Sequence, residues 1–209
     1  MKKLVFTLFA VASIFVWESY KISLSVEDYV QEAETGDLIF QTQLERNQSL
    51  AIQIGTLSPY NHVGIVSVEG GRTYVYEAAG NVSKVKIEDF VDRRSTGSRF
   101  VVYRHEDLKE RNQQRIISYA RASLGKGYDA YLSWTNSRMY CSELAYKAFA
   151  YAGYDLEDTR KIGDMKFALL IGSLIPHNYR SSQFNMEHEV VAPSHLARDN
   201  NFEKVFQNW

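Results

Sequence analysis

The sequence contains only one cysteine, Cys141, and only three prolines in 209 residues. A single cysteine excludes an internal disulfide and the zinc sites that are built from several cysteines. The chain also lacks an excess of charge of either sign, because 24 Lys and Arg residues balance 25 Asp and Glu residues. A nucleic-acid-binding protein is expected to carry a clustered excess of basic residues, so we expect no nucleic-acid partner.

The chain has ample apolar material for a folded core. Hydrophobic residues make up 45% of the sequence and aromatic residues 13%, which excludes a disordered chain. No internal repeat, low-complexity tract or proline-rich linker interrupts residues 25–209. The length and continuity of this part predict one globular domain over residues 25–209.

Residues 1–24 are predicted to be a targeting segment that is separate from this domain. Two lysines at positions 2 and 3 precede an apolar run from Leu4 to Trp17. A basic start and an apolar run of this length are typical of a secretory signal peptide, and the run is short for a membrane span. No triplet typical of signal cleavage ends the run, so an uncleaved membrane anchor is one alternative, and an amphipathic or buried N-terminal helix is a less favoured one. A cleaved signal peptide predicts a secreted or periplasmic protein, and an uncleaved anchor predicts a protein attached to the outer face of the membrane.

Several short runs rich in β-branched and aromatic residues predict an antiparallel sheet. Residues 37–40 read as a short buried strand, and residues 62–68 and 73–78 as a hairpin joined through Gly70 and Gly71. Two further strands are predicted at residues 82–87 and 99–103. Together these segments predict a meander-like sheet of four or five strands.

Two longer segments have the spacing of amphipathic helices. Residues 107–124 place Ile116, Ile117, Ala120 and Leu124 on one face, and residues 141–152 form a second apolar stripe that ends at Gly153. A short helix is predicted at residues 49–54, and a core helix or pocket wall at residues 165–175. Because the strands and helices are mostly segregated along the chain, we predict an α+β fold.

Cys141 lies at the predicted start of the second amphipathic helix. The helix dipole and the free backbone N–H groups at a helix N-terminus favour the thiolate, which lowers the pKa of the thiol. An inert buried cysteine is the alternative for a lone thiol. A base placed within reach of the sulfur would favour a reactive cysteine.

His62 and Glu77 are the candidates for such a base and its orienting partner. If the two glycines of the hairpin form a two-residue turn, Gly64 lies opposite Glu77 and presents no side chain. His62 and Glu77 then become diagonal neighbours on one face of the sheet. A core histidine and a solvated strand glutamate are the alternatives for each residue alone. Together with Cys141 they match the nucleophile, base and orienting carboxylate of covalent catalysis.

The remaining polar candidates carry weaker signals. Tyr128, in a glycine-rich turn between the two helices, is a candidate oxyanion or substrate contact, with a core tyrosine as the alternative. Glu143 is expected to complement the helix N-terminus instead of acting as an acid. The other four histidines are expected at surface or loop positions and lack the spacing of metal ligands: His105, His177, His188 and His195. We therefore predict no metal and no other cofactor.

Residues 35–155 resemble the permuted papain-fold cysteine hydrolases of the NlpC superfamily, and within it the YiiX/YebB-like envelope proteins. The matching blocks are residues 36–41, 60–65, 76–78, 124–129 and 140–144. The resemblance implies a circularly permuted papain-like α+β fold, with an antiparallel sheet packed against helices and the nucleophile at a helix N-terminus. It also implies Cys141 as nucleophile, His62 as base and Glu77 as the polar third member.

The same resemblance implies a cysteine amidase or peptidase of the cell envelope that transfers an acyl group to a thiolate. Its substrate would be a peptide, such as a peptidoglycan peptide, or an acylated lipid or lipoprotein. A lipid-directed acyl hydrolase or acyltransferase is the nearest alternative. A catalytically silent module that binds cell wall or lipid is the alternative of a different class. Nothing in the sequence indicates an oligomeric state.

Overall fold

The computed structural model describes residues 25–42, 58–92, 99–156, 159–165 and 185–208. The predicted targeting segment 1–24 and the predicted helix at residues 49–54 lie outside the described residues, as does the predicted apolar segment from residue 166 onwards. In the described ranges, no helix combines the length and the hydropathy needed to cross a membrane.

An antiparallel six-stranded sheet forms the centre of the described structure. Its strands are β1 (Leu38–Gln41), β2 (His62–Glu69), β3 (Arg72–Ala78), β4 (Val82–Lys86), β5 (Phe100–His105) and β8 (Phe202–Gln207). Their order in the sheet is β4-β3-β2-β1-β5-β8, and β6 (Arg160–Lys161) pairs separately with β7 (Glu189–Val190). The β2-β3-β4 meander was predicted. The insertion of β1 between β2 and β5 and the C-terminal edge strand were not, because both depend on pairing between distant parts of the chain.

Four helices flank the strands in the described residues, in addition to a helical segment at residues 25–32. They are α1 (Ile87–Asp92), α2 (Glu110–Ala122), α3 (Cys141–Ala152) and α4 (Pro193–Leu196). The bounds predicted for α3 are confirmed, and Gly153 ends it with a left-handed φ of 94° that favours glycine. Leu124 was wrongly predicted on the buried face of α2, because this helix ends two residues earlier and leaves Leu124 43% exposed.

Each face of the sheet packs against its own hydrophobic core. The first, the α2–α3 core, includes Val63 of β2 and Leu144 of α3. The second, the α1 core, includes Val66 of β2 and Phe90 of α1. Because successive strand residues point to opposite faces, β2 contributes side chains to both cores. Burial on both sides explains why β1 has no exposed position.

The register predicted for the β2–β3 hairpin is confirmed. Val66 pairs with Val75, and the paired positions run from Glu69 with Arg72 up to Ile65 with Tyr76. The same register places Gly64 opposite Glu77. A Cβ atom at Gly64 would overlap the Val75 side chain and lie 3.2 Å from both Phe90 Cε2 and the carbonyl oxygen of Tyr76.

We expect Gly64→Ala to lower the free energy of unfolding by about 1–3 kcal/mol, because the added methyl group overfills a packed site. Gly127→Ala is the matched control, since the atom nearest to its Cβ would be Arg138 Cγ at 3.9 Å. Urea unfolding followed by tryptophan fluorescence measures both values. Equal stability of the two variants would contradict the tight packing around Gly64.

Candidate active site

The start of α3 positions the thiol of Cys141. Cys141 is the first residue of this helix and is only 3% exposed. Glu143 accepts a hydrogen bond from the backbone N–H of Tyr140 at 3.3 Å and pairs with Lys147 at 2.6 Å. This is the supporting position at the helix start that the sequence predicts for Glu143.

A C-terminal segment also holds the start of α3. The backbone N–H of Val191 donates to the Tyr140 hydroxyl at 3.1 Å, and the Ser142 hydroxyl donates to the carbonyl oxygen of Val191 at 2.8 Å. The residues on both sides of Cys141 are therefore fixed to the same short segment of chain. This arrangement limits the positions that the sulfur can adopt.

His62 is the first residue of β2 and is held on two sides. Its Nε2 lies 2.7 Å from Glu77 Oε2, and the two side chains are 4% and 0% exposed as residues. The imidazole also stacks on the ring of Phe90, with ring centroids 5.5 Å apart. The diagonal contact expected between His62 and Glu77 is thus present.

The His62 side chain and two backbone N–H groups lower the pKa of the Cys141 thiol by hydrogen bonding. These groups belong to Val63 and Ser142. Because Glu77 occupies Nε2 of His62, Nδ1 is the ring nitrogen left to interact with the thiol. Val63 pairs with Phe40 of β1 but lies beyond the paired positions of β2 and β3, which end at Ile65.

The pKa values of His62 and Cys141 shift in opposite directions. Burial alone lowers the pKa of His62, but its hydrogen bonds to Cys141 and Glu77 and the charges of both partners raise it to about 9. Burial alone raises the pKa of the Cys141 thiol, whereas His62 and the two backbone N–H groups bring it below its ordinary value. These shifts favour a thiolate beside an imidazolium.

The three side chains meet at the end of β2, where the two hydrophobic cores approach each other. Cys141 belongs to the α2–α3 core, and Phe90, which stacks on His62, belongs to the α1 core. His62 therefore contacts groups from both sides of the sheet. A thiolate, an acid–base imidazole and free N–H groups of a helix start are the components needed for acyl transfer.

Tyr128 lies beside the segment that leads into Cys141. Its backbone N–H donates to the carbonyl oxygen of Gly80 at 2.9 Å, and that of Asp129 donates to Met139 at 3.3 Å. The half-buried side chain of Tyr128 packs against the α2–α3 core. This position agrees with the core tyrosine that was the alternative, and a contact with substrate stays a prediction.

Two of the other histidines are not where the sequence suggested. His105 and His195 are buried instead of lying at the surface, since aromatic and helical neighbours cover them. His188 is partly buried, with Nδ1 at 3.2 Å from the carbonyl oxygen of Tyr131, and His177 is outside the described residues. In the described part of the chain, no group of three or more His, Cys, Asp or Glu residues could hold a metal ion.

Gln41, a buried side chain next to His62, was not identified from the sequence. Gln41 is the last residue of β1 and the direct partner of His62 across the β1–β2 ladder. It stands at the end of an apolar run, where a polar residue is expected to face solvent. Only the strand pairing reveals that it adjoins the candidate base.

Comparisons with known proteins agree with this arrangement. Residues 32–206 match the family described as permuted papain-like amidase enzyme, YaeF/YiiX, C92 family. The uncharacterized protein YiiX of Escherichia coli is 29% identical over 189 residues, which cover 89% of this chain and 92% of that protein. A crystal structure of YiiX from Escherichia coli, described there as a metalloprotein, has a TM-score of 0.77 and 30% identity over 84% of this chain and 98% of its own. The predicted α+β, permuted papain-like fold is confirmed.

Proposed function

Since this chain belongs to the permuted papain-like amidase family, a group of cysteine peptidase and amidase-type hydrolases, we propose that it cleaves an amide bond in the cell envelope through Cys141, His62 and Glu77. The observation that carries the proposal is the buried contact of Glu77 with His62 at 2.7 Å, together with the interaction of His62 that lowers the pKa of Cys141 at the start of α3. A protein that only binds its ligand has no need for a thiolate paired with an oriented imidazolium.

In the acylation step, the Cys141 thiolate attacks the carbonyl carbon of the amide and forms a carbon–sulfur bond. The electron pair of the carbonyl moves to oxygen, and backbone N–H groups at the start of α3 stabilise this oxyanion. The imidazolium of His62 then donates its proton to the leaving nitrogen as the carbon–nitrogen bond breaks. An amine leaves, and the acyl group stays on Cys141 as a thioester.

In the deacylation step, neutral His62 removes a proton from water as the water oxygen attacks the thioester carbonyl. The carbon–sulfur bond breaks, the acid is released, and the thiolate and imidazolium are restored. Throughout both steps the Glu77 carboxylate accepts the hydrogen bond from His62 Nε2. It thereby keeps Nδ1 directed at the sulfur and stabilises the imidazolium.

The relative described as a metalloprotein raises the question of a metal in this chain. No suitable group of His, Cys, Asp and Glu side chains occurs in the described ranges. His62 and Cys141 are engaged with each other, and His62 is also engaged with Glu77. The residues described do not fit a metal centre, and the proposed mechanism uses protein groups alone.

The proposed place of action is the cell envelope. Support comes from the basic start and apolar run of residues 1–24 and from the resemblance to envelope proteins. A secreted or periplasmic domain, or one attached to the outer face of the membrane, would meet peptidoglycan peptides directly. A lone thiol suits an oxidising compartment, because no second cysteine in the chain can trap it as an internal disulfide.

Thiol alkylation tests the proposed ion pair, and the single cysteine means that the label reports on Cys141 alone. At about pH 5.5 we expect iodoacetamide to react with Cys141 on the order of 10- to 100-fold faster than with glutathione. With a hydrolysable substrate, kcat/KM should fall as the pH rises through about 9, because His62 then loses the proton that it donates.

Two histidine variants complete this experiment, one that removes the proposed partner of the thiol and one that serves as the control. His62→Ala should reduce the alkylation rate at acidic pH to that of glutathione, because the thiol loses its cationic partner. His188→Ala makes the same substitution at a partly buried histidine whose ring Nδ1 lies 3.2 Å from the carbonyl oxygen of Tyr131, and it should keep the wild-type rate. If Cys141 of the wild-type protein is alkylated no faster than glutathione at acidic pH, the proposed catalytic system is refuted.

A further inference from the structure

Within the described residues, the buried side chain of Gln41 has no hydrogen-bond partner. Gln41 is 1% exposed, and neither its Nε2 nor its Oε1 forms a hydrogen bond with any group in the described part of the chain. Burying a carboxamide with both its donor and its acceptor unsatisfied is unfavourable, and nearly all buried polar groups in native proteins avoid it. A residue kept in this state at a candidate active site calls for a ligand that completes its hydrogen bonds.

Strand pairing places this carboxamide beside the base. Gln41 and His62 are direct partners in the antiparallel β1–β2 ladder, so their side chains project from the same face of the sheet with Cβ atoms about 4.5–5.5 Å apart. Glu77 lies on β3, on the opposite side of β2. The imidazole therefore has a carboxylate on one side and an unsatisfied carboxamide on the other.

The imidazole of His62 cannot form the missing hydrogen bonds of the Gln41 carboxamide. Glu77 binds Nε2 of His62, and Cys141 engages the remaining ring nitrogen. A carboxamide supplies N–H donors and a carbonyl acceptor together, and a peptide amide offers the complementary carbonyl and N–H. The hydrocarbon next to the carboxyl carbon of a fatty acyl chain offers neither group.

We propose that Gln41 binds a peptide amide of the substrate, next to the scissile bond on its acyl side, and so selects peptide over fatty-acyl substrates. This inference rests on the proposed function, since it assumes acyl transfer at Cys141. The acyl side is the half of the substrate that stays in the site through both steps. Because Gln41 lies beside His62, a hydrogen bond from Gln41 to the acyl half of the substrate would position it in both acylation and deacylation.

Two electrophiles of equal chain length test the selection. One is the chloromethyl ketone of N-acetylglycine, which carries the amide, and the other is the chloromethyl ketone of pentanoic acid, which has methylene groups in its place. In each reaction the Cys141 sulfur bonds to the chloromethyl carbon and chloride leaves. Dividing the rate for Cys141 by the rate for glutathione removes the intrinsic difference in electrophilicity between the two reagents.

For the wild-type protein we expect the corrected preference for the amide reagent to be roughly ten- to a hundredfold, the effect of one or two hydrogen bonds. Gln41→Met replaces the carboxamide by an apolar side chain of similar length and should abolish the preference. The midpoint of urea unfolding should stay equal or rise, because the variant removes an unsatisfied polar group. A residue with a merely structural role would lower that midpoint and leave the preference in place.

The outcomes separate this inference from the proposed function. A Cys141 that reacts rapidly at acidic pH but shows no amide preference overturns the assignment of Gln41 and leaves the cysteine hydrolase intact. A preference that survives in Gln41→Met overturns it as well. If Cys141 reacts no faster than glutathione at acidic pH, the proposed function fails whatever the ratio of the two reagents.

Discussion

Replacing Cys141 with serine is expected to lower the release of products from cell-wall peptides by about 10⁴-fold or more, the usual consequence of removing a nucleophile. A serine hydroxyl has a much higher pKa than a thiol, so His62 would no longer face a stabilised anion. The change is nearly isosteric, and α3 should keep its hydrogen bonds at Tyr140 and Ser142. The variant is therefore expected to fold.

The measurement compares product masses after incubation with isolated cell-wall fragments and, separately, with membrane lipids. Circular dichroism of the wild type and the serine variant controls for folding. Products that the serine variant still releases at the wild-type rate would show that Cys141 is not the nucleophile. Release from lipids alone, dependent on Cys141, would keep the nucleophile but replace the peptide substrate by an acyl lipid.

The second large effect is expected for Glu77→Gln, with a fall in kcat/KM of about 10²- to 10⁴-fold. The neutral carboxamide leaves the imidazolium of His62 without its buried counter-charge, which lowers the pKa of His62 from about 9. The decline of activity at alkaline pH should therefore begin at a lower pH. Alkylation of Cys141 at acidic pH should slow, because less of the thiol is paired with an imidazolium.

Glu69→Gln is the matched control for this prediction. Glu69 lies on the same hairpin but pairs with Lys84 at 2.5 Å and accepts a hydrogen bond from Ser67 at 2.8 Å, at a partly exposed position. Its replacement should leave both kcat/KM and the pH profile unchanged. If Glu77→Gln behaves in the same way as Glu69→Gln, Glu77 does not act through His62.

The parts of the fold that were predicted depend on local chemistry. The two glycines of the β2–β3 turn adopt the positive φ values of 57° and 73° that a tight hairpin needs. The register of the hairpin follows from the position of this turn. The length of α3 follows from its apolar spacing and from Gly153. In each case residues close together in the sequence determine the local structure, and the tertiary contacts are compatible with it.

The parts that were missed depend on distant contacts. The strand β8 pairs with β5 across about half of the chain, and nothing in its own residues identifies the partner. Helix α1 continues directly from β4 and begins at Ile87, the last residue of the predicted strand, and no helix was predicted there. Its burial against the second face of the sheet supplies a hydrophobic stabilisation that propensity alone does not indicate. Leu124 shows the same dependence, because the end of α2 decides its exposure.

The sequence by itself determined the three chemical groups of the candidate site, the N-terminal position of Cys141 on its helix, and the alignment of His62 with Glu77 through the hairpin register. Only the tertiary structure decided that the thiol meets the imidazole, because this requires α3 to pack against one face of the sheet and place Cys141 at the end of β2. It also decided the surroundings of Gln41. A strand's pattern indicates which residues face outward, but only the pairing of β1 with β2 determines which side chain stands beside the base.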